Sequence, residues 1–194
     1  WFRDWSSDVC SSDLDPGHGK RIMAILPIIT APDRRLKVKS KPVETVDDKV
    51  RKILDDMLET MYEAPGIGLS AVQVGIPKCL ITVDVSSDDG ENQPLYLINP
   101  EIVEFSEELE SYNEGCLSLP EQFADLDRPE AITVQYLDYS GELRRLRAEG
   151  LLSRCIQHEM DHLKGRLFVD HLSAVKRGII LRKLDKARRQ KVMA

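Results

Sequence analysis

The sequence lacks any hydrophobic run near the roughly 20 residues that a membrane span needs. It also lacks a secretory signal, because no basic segment is followed by an apolar stretch and a small-residue cleavage site. Internal repeats and low-complexity segments are absent too, which excludes solenoids and disordered arrays. We therefore expect a cytoplasmic protein with no membrane partner, and its 194 residues suit one domain with a buried core.

Paired cysteines are also missing. The four cysteines include no Cys-x-x-Cys pair, so a disulfide framework is not expected, and a reducing compartment would leave a thiolate available to a metal. The net charge of −6 carries no general signal for nucleic acid, and DNA is not an expected partner. Positive charge is concentrated in residues 173–194, where eight Lys or Arg accompany one acid, Asp185.

The first fourteen residues, WFRDWSSDVCSSDL, follow neither the period of a strand nor that of a helix. They resemble a translated sequencing adapter more than a protein element. We predict that residues 1–20 are a non-native or disordered arm and that Met23 is the natural start, because protein-like patterning begins at Ile25. Residues 21–194 are then expected to form a single domain.

Three helices are predicted from apolar spacing and end signals. Apolar residues recur at helical spacing within residues 45–63, with a cap at Asp47 or two residues earlier. A second helix is expected over residues 149–163, closing at Gly165, and Ser173 can cap a third, basic helix.

Four β-type runs lie between the first two helices, separated by turn signals, at residues 79–85, 95–98, 132–137 and 143–147. Short runs joined by such turns favour antiparallel pairing. The order of elements predicts an α+β fold in which small antiparallel or mixed β-sheets pack around a central helix. The N-terminal amphipathic helix and the C-terminal helix complete this fold.

The strongest chemical signal is the segment His158-Glu159-Met160-Asp161-His162 in the second predicted helix. Histidines at i and i+4 project from one face, so both imidazoles can hold one ion while Glu159 handles a proton. The competing interpretation is a pair of core histidines on an amphipathic helix. Two histidines leave a hydrolytic ion one protein ligand short, and His171 does not have the spacing of a third.

Two upstream segments are each ambiguous alone. In Glu114-Gly115-Cys116-Leu117-Ser118-Leu119-Pro120, Cys116 could be a ligand or a small buried hydrophobe. In Gly66-Ile67-Gly68-Leu69-Ser70-Ala71-Val72-Gln73, the glycines could be only a helix C-cap and a turn.

Together and in this order, the three segments resemble the signature motifs of peptide deformylases: Gly-x-Gly-Leu-(Ala/Ser)-Ala-x-Gln, Glu-Gly-Cys-Leu-Ser and Gln-His-Glu-x-Asp-His. The resemblance extends from about Ile25 to at least Leu172 and includes Pro32-Asp33 and Ile98-Asn99-Pro100. It implies a metal-dependent hydrolase that removes the formyl group from the N-terminal methionine of nascent polypeptides.

The resemblance also implies roles for individual residues. One divalent ion, usually Fe(II) in the family, with zinc, nickel or cobalt able to replace it, would be held by Cys116, His158 and His162. Glu159 would be the general base, and the Gln73 side chain and the Leu117 backbone N–H would stabilise the oxyanion. The chemistry of the ligands alone suggests zinc as readily as iron.

Substrate binding is expected along the glycine segment, where a peptide can lie as an added strand. The residues assigned to substrate are Gly66, Ile67, Gly68, Tyr112, Glu114, Gly115, Leu151 and Cys155, and four of them match the methionine pocket of the family: Ile67, Tyr112, Leu151 and Cys155. Ordinary core packing is the alternative for each of these four. Phe123 and Arg154 depart from some bacterial members, which carry Arg and an aliphatic residue there.

The basic C-terminal helix is expected to dock through Val175, Ile179, Ile180 and Leu184 while its cations face outward. A solvated basic face is the simpler interpretation. In bacterial relatives such a helix contacts the ribosome, so the resemblance implies the ribosome as a partner. Two rival functions remain at this stage: a His-Glu-x-x-His metallopeptidase, and a non-catalytic protein with a structural Cys-His-His site.

Overall fold

The computed structural model of this protein describes residues 24–86 and 91–193, with side chains described as far as residue 190. The predicted non-native arm at residues 1–20 and the predicted start at Met23 lie outside the described residues. Among the described helices, none has the length and hydropathy to cross a bilayer.

The three predicted helices are confirmed as α1 (Asp48–Glu63), α2 (Gly150–Leu163) and α3 (Ala174–Met193). Helix α1 begins where the Asp47 carboxylate accepts a hydrogen bond from the Val50 N–H at 2.9 Å. Helix α2 ends before Gly165, whose φ of +71° and close approach to the Lys37 carbonyl exclude a side chain. Helix α3 is capped by Ser173, whose hydroxyl accepts from the Lys176 N–H at 3.4 Å.

Seven strands lie in the described ranges: β1 (Gly68–Ser70), β2 (Leu80–Val83), β3 (Leu95–Phe105), β4 (Leu109–Glu114), β5 (Ala124–Pro129), β6 (Ala131–Leu137) and β7 (Leu143–Glu149). Five form an antiparallel sheet in the order β1-β2-β3-β6-β7, while β4 and β5 form a two-stranded sheet. The predicted α+β fold is confirmed. Strands β1, β4 and β5 were not predicted, because β1 has three residues, β4 carries mostly polar, exposed side chains, and half of the β5 residues are charged.

Helix α2 lies at the centre of the fold. Its residues Cys155, Ile156 and Met160 pack against the larger sheet in one apolar cluster that includes Val83 and Val134. Full burial of a side chain such as Ile156 stabilises the fold by about 1.5–3 kcal/mol. Helix α1 packs on the same sheet through a second apolar cluster. The helix that carries the predicted metal motif is therefore held rigidly.

Helix α3 docks through only part of its predicted apolar face. Ile180 and Leu184 are buried with Phe168 in a third apolar cluster, but Val175 is 72% exposed and Ile179 is 41% exposed. The prediction that all four residues dock on the domain was wrong for Val175 and Ile179. The pairs 175/179 and 180/184 form two adjacent stripes on the helix surface, and only the second stripe faces the domain.

Candidate metal centre

Three side chains converge behind the glycine segment. One ligand atom each from Cys116, His158 and His162 lies within 4.8 Å of the others, and all three residues are buried. Cys116 comes two residues after the end of β4, and both histidines project from one face of α2. The structure therefore brings together the three predicted ligands, whereas His171 lies outside this cluster.

The two imidazoles are fixed differently. His158 Nδ1 donates a hydrogen bond to the Glu114 carboxylate at 3.0 Å, which directs its Nε2 away from Glu114. The His162 Nε2 lies 3.2 Å from the Cys116 sulfur, so that nitrogen faces the ligand cluster. Its other nitrogen, Nδ1, is buried with no hydrogen-bond partner among the described residues.

Burial and neighbouring groups shift the pKa values of both imidazoles. Burial alone would lower the pKa of His158, but the neighbouring Cys116 and the Glu114 carboxylate raise it to about 10. Burial, followed by the nearby His158, holds the pKa of His162 well below its usual range. A bound cation would replace the His158 proton as the positive charge among these donors. Buried thiolate and imidazole donors this close together suit one divalent metal ion.

Glu159 lies next to the ligands without being one of them. It is 2% exposed, and its Oε2 has no hydrogen-bond partner in the described part of the chain. Burial raises the pKa of Glu159 to about 7, although the nearby His158 opposes that shift. A carboxyl group with a pKa near neutrality suits a general base. Glu159 faces a small pocket lined by Gly66, Ile67, Gly68, Cys116, Leu117, His158 and Glu159.

Gly68 allows β1 to lie directly against α2. A Cβ atom at this position would be 2.6 Å from the Cys155 sulfur and 2.8 Å from Glu159 Oε1. Neither atom belongs to an exposed side chain that could move aside. The requirement for glycine here is close packing beside the reactive carboxylate, and not a helix cap.

Gln73 is held so that its amide nitrogen points toward the ligands. Its Oε1 accepts hydrogen bonds from the Ser70 N–H and the Ser70 hydroxyl, both at 2.8 Å. Its Nε2 donates to the Ser118 hydroxyl at 3.2 Å and lies 3.7 Å from the Cys116 sulfur. Because Oε1 is occupied by donors, the amide cannot be reversed without losing these bonds.

The residues predicted to contact substrate fall into two groups. Ile67 and Cys155 are buried beside β1, where the thiol donates to the Ile67 carbonyl at 3.4 Å. Leu151 is half-buried near the start of α2, and Tyr112 is 37% exposed with its ring 4.4 Å from the Arg154 guanidinium carbon.

Two glycines and a glutamate complete the predicted set. Gly66 packs against Leu117, and Gly115 packs against the Phe123 ring, so both sit beside the ligand segment. Glu114 is fully buried, and burial would raise its pKa, but hydrogen bonds from His158 and Arg128 lower it. It thus lies behind His158 and offers no exposed surface to a peptide.

The sequence interpretation missed the buried polar residues that hold these groups. Arg128 on β5 bridges Glu114 and Asp161, and Ser70 and Ser118 orient Gln73. Asp161 could have been noticed inside the histidine motif. No local signal marks Arg128, because β5 reads as a polar strand and its arginine is buried only through tertiary contacts.

Three buried ligands, a neighbouring buried carboxylate with one oxygen free of partners in the described residues, and an adjoining pocket define a metal-dependent hydrolase centre. A sequence profile of the polypeptide deformylase family matches residues 25–178. The chain belongs to the polypeptide deformylase family.

Individual relatives agree with this assignment. The peptide deformylase of Rhizobium meliloti is 52% identical over 165 residues, covering 85% of this chain and 95% of that protein. The peptide deformylase of Azotobacter vinelandii is 54% identical over 168 residues, covering 87% and 99% respectively. The crystal structure of peptide deformylase from Ehrlichia chaffeensis has a TM-score of 0.83 at 43% identity, covering 87% of this chain and 99% of that chain. A structure of the Ehrlichia protein in complex with actinonin has a TM-score of 0.82 at 45% identity, covering 86% and 99%.

Proposed function

We propose that this chain hydrolyses the formamide of N-terminal formyl-methionine on nascent polypeptides, releasing formate and a free amino terminus. The observation that carries the proposal is the Cys116, His158 and His162 cluster with the buried Glu159 carboxylate beside it, whose Oε2 has no hydrogen-bond partner in the described residues. A structural metal site usually closes with four protein ligands, and this cluster has three in the described residues.

The chemistry divides between the ion and the protein. A divalent ion held by Cys116, His158 and His162 would supply Lewis acidity and would lower the pKa of water toward roughly 7. Glu159 accepts a proton from the attacking water and returns it to the departing amine nitrogen. The water oxygen bonds to the formyl carbon and the C–N bond of the formamide breaks. The formyl carbon leaves as formate, and the amine, having gained both protons of the water, leaves as a protonated amino terminus.

Gln73 and Leu117 supply donors where negative charge develops. The Gln73 Nε2 is already directed toward the ligands by Ser70, so no reorganisation is needed when the formyl oxygen becomes negative. Leu117 follows the ligand Cys116 directly and lines the pocket, and we assign its backbone N–H as the second donor to the same oxygen. Loss of one such donor costs roughly 2.7–4 kcal/mol of barrier.

Strand β1 is the position where a peptide can bind. It is the edge strand of the larger sheet and pairs with β2 on one side. A peptide added to the other side would be held by main-chain hydrogen bonds that do not depend on its sequence. Gly66, Ile67, Gly68 and Gly115 would border this peptide, with Tyr112, Leu151 and Cys155 around the methionine side chain. We assign Glu114 to the support of His158, because its carboxylate is occupied by hydrogen bonds from His158 and Arg128.

Metal content combined with formate release from formyl-Met-Ala-Ser, measured anaerobically, tests the proposed function. We expect one metal ion per chain and rapid release of formate. An N-terminal acetyl group and internal peptide bonds should not be cleaved. Cleavage of internal bonds would identify a metallopeptidase. Metal binding without any hydrolysis would identify a structural site, and either result would overturn the proposal.

We propose Fe(II) as the native ion, with zinc, nickel or cobalt as functional substitutes. A ferrous ion beside a thiolate and open to solvent is exposed to peroxide chemistry, which oxidises cysteine. The iron-loaded protein should therefore lose activity in air faster than the nickel-loaded protein. Equal lifetimes in air would contradict iron as the native ion.

The ribosome is the second proposed partner, because the substrate is a nascent chain. For the same reason we propose that the protein acts in the cytoplasm. Helix α3 docks through Ile180 and Leu184, and seven of its cations are exposed: Lys176, Arg177, Arg182, Lys183, Lys186, Arg188 and Arg189. Arg177 and Arg189 pair with Asp170 and Asp185. Cations meeting RNA phosphates release counterions, so binding should weaken steeply with salt.

Charge variants test ribosome binding better than truncation does, since ending the chain before Lys183 would also remove the buried Leu184. We expect Arg182→Gln/Lys183→Gln/Lys186→Gln to reduce co-sedimentation with ribosomes and flatten its salt dependence. Turnover on a short peptide should stay unchanged. The matched control is Arg144→Gln/Arg145→Gln/Arg147→Gln, which removes three exposed charges from β7. Equal loss in both triple variants, or in neither, would contradict a docking role for α3.

A further inference from the structure

We propose that Arg128 is a positioning residue for the metal centre, because it ties the chain segment bearing Cys116 to the helix bearing both histidines. The inference rests on the metal site of the proposed function. It concerns a network of four residues that are not among the three ligands, of which the first three are buried: Glu114, Arg128, Asp161 and His171.

Arg128 makes a forked contact with one carboxylate and a single bond to another. Its Nη2 donates to Glu114 Oε2 at 3.0 Å, and its Nε donates to Glu114 Oε1. Its Nη1 donates to Asp161 Oδ2 at 2.9 Å. The Arg128 and Glu114 side chains are 9% and 0% exposed, so water screens this contact little.

The network reaches the ligands from behind. Glu114 Oε2 accepts from both His158 Nδ1 and Arg128 Nη2, each at 3.0 Å, so one oxygen fixes the plane of the imidazole. Glu114 ends β4, two residues before Cys116, whereas Asp161 lies on α2 between the two histidines. By holding Glu114 and Asp161 together, Arg128 sets the separation between the cysteine ligand and the histidine ligands.

Arginine is required here for its shape as well as its charge. A planar guanidinium presents several N–H groups in fixed directions and can bond two carboxylates at once, whereas lysine offers a compact charge on a flexible stem. Arg128→Lys therefore keeps the positive charge but loses the fork. A role in charge balance alone would tolerate this change.

His171 forms the outer end of the network. Its Nε2 donates to Asp161 Oδ2 at 2.8 Å, and its side chain is 36% exposed. His171 contacts neither Glu114 nor a ligand directly. Its substitution should therefore disturb the metal centre in the same way as Arg128→Lys, but less strongly. The expected order of effects is Arg128, then Asp161, then His171.

The test uses the full chain loaded with Co(II), whose visible absorption depends on ligand geometry. We expect Arg128→Lys to shift this absorption and to lose cobalt to excess chelator about 10 to 100 times faster than the parent protein. His171→Gln should lose cobalt only a few times faster than the parent protein. The rate of cobalt loss from Asp161→Asn should lie between those of Arg128→Lys and His171→Gln. The matched control is Arg144→Lys, at an exposed arginine that pairs with Asp138 and Glu142, and its spectrum and release rate should match the parent.

Thermal melting of each variant separates positioning from general stability. A lower melting temperature for Arg128→Lys with an unchanged cobalt spectrum and release rate would overturn the proposal. If Arg128→Lys does not fold, Asp161→Asn decides, and parental values for that variant would overturn it equally. Neither readout depends on deformylation, so a parent protein that bound cobalt but released no formate would contradict only the proposed function.

Discussion

Helices α2 and α3 both carry charged residues, but the charged residues of α2 are buried and those of α3 are mostly exposed. Eleven residues of α2 are buried, including Arg154, Glu159 and Asp161. In α3 the described cations are exposed, and its contact with the domain depends on Ile180 and Leu184. In α2, Glu159 and Asp161 lie at or beside the metal centre, whereas the cations of α3 lie on the protein surface.

The difference shows what a buried polar residue requires. Asp161 bonds Arg128 and His171, and His158 bonds Glu114, so these side chains recover inside the protein the interactions that water would provide. Three polar atoms of α2 are buried without a hydrogen-bond partner in the described residues: Arg154 Nε, His162 Nδ1 and Glu159 Oε2. A buried carboxylate oxygen without a partner, as in Glu159, lowers stability but suits a group that must accept a proton from the attacking water.

The largest expected effect comes from removing that carboxylate. Glu159→Ala should lower kcat by a factor of about 10² to 10⁴ while leaving the metal bound, because Glu159 is not a ligand. The melting temperature of the variant should not fall, since a buried unpartnered oxygen is removed. Metal analysis, kinetics and calorimetry measure the three quantities. Loss of the metal would show that this division of roles is wrong.

Gly68→Ala tests the contact between β1 and α2. The added methyl group would meet the Cys155 sulfur and Glu159 Oε1, so we expect the free energy of unfolding to fall by about 1–3 kcal/mol. Displacement of Glu159 should also lower turnover by roughly 100-fold. Chemical denaturation and steady-state kinetics measure these changes. Unchanged values for both would contradict the close packing described here.

Leu184→Ala tests how α3 docks. Leu184 is 7% exposed, and its truncation should lower the free energy of unfolding by about 2 kcal/mol without changing turnover below the transition. Val175→Ala, at a side chain that is 72% exposed, is the matched control and should change stability by less than about 0.5 kcal/mol. Equal effects of the two variants would contradict the docking of one stripe.

The smallest expected effect is an increase in stability. Gly178 lies in α3, and a Cβ atom there would meet nothing within 4 Å. Gly178→Ala should therefore raise the free energy of unfolding by up to about 1 kcal/mol, because alanine favours the helix. The same substitution is thus expected to be harmful in β1 and helpful in α3. A destabilised Gly178→Ala variant in thermal melts would mean that α3 is less helical in solution.

Local chemistry in the sequence determined the three helices. Asp47 and Ser173 accept the first backbone donors of α1 and α3, and Gly165 adopts the positive φ that ends α2. Spacing of four residues placed His158 and His162 on one face whatever the rest of the fold became. These signals act between neighbours in the chain, so the sequence alone carries them.

Tertiary structure decided which distant residues meet. Cys116, Gln73 and Gly68 reach α2 only because two separate segments pack on it, and the sequence indicated them through resemblance to a family. Arg128 had no local signal at all, since its burial depends on Glu114 and Asp161 approaching from two other elements. The docking stripe of α3 was likewise set by the surface beneath it. Periodicity tells which residues share a face, but only packing decides which face is covered.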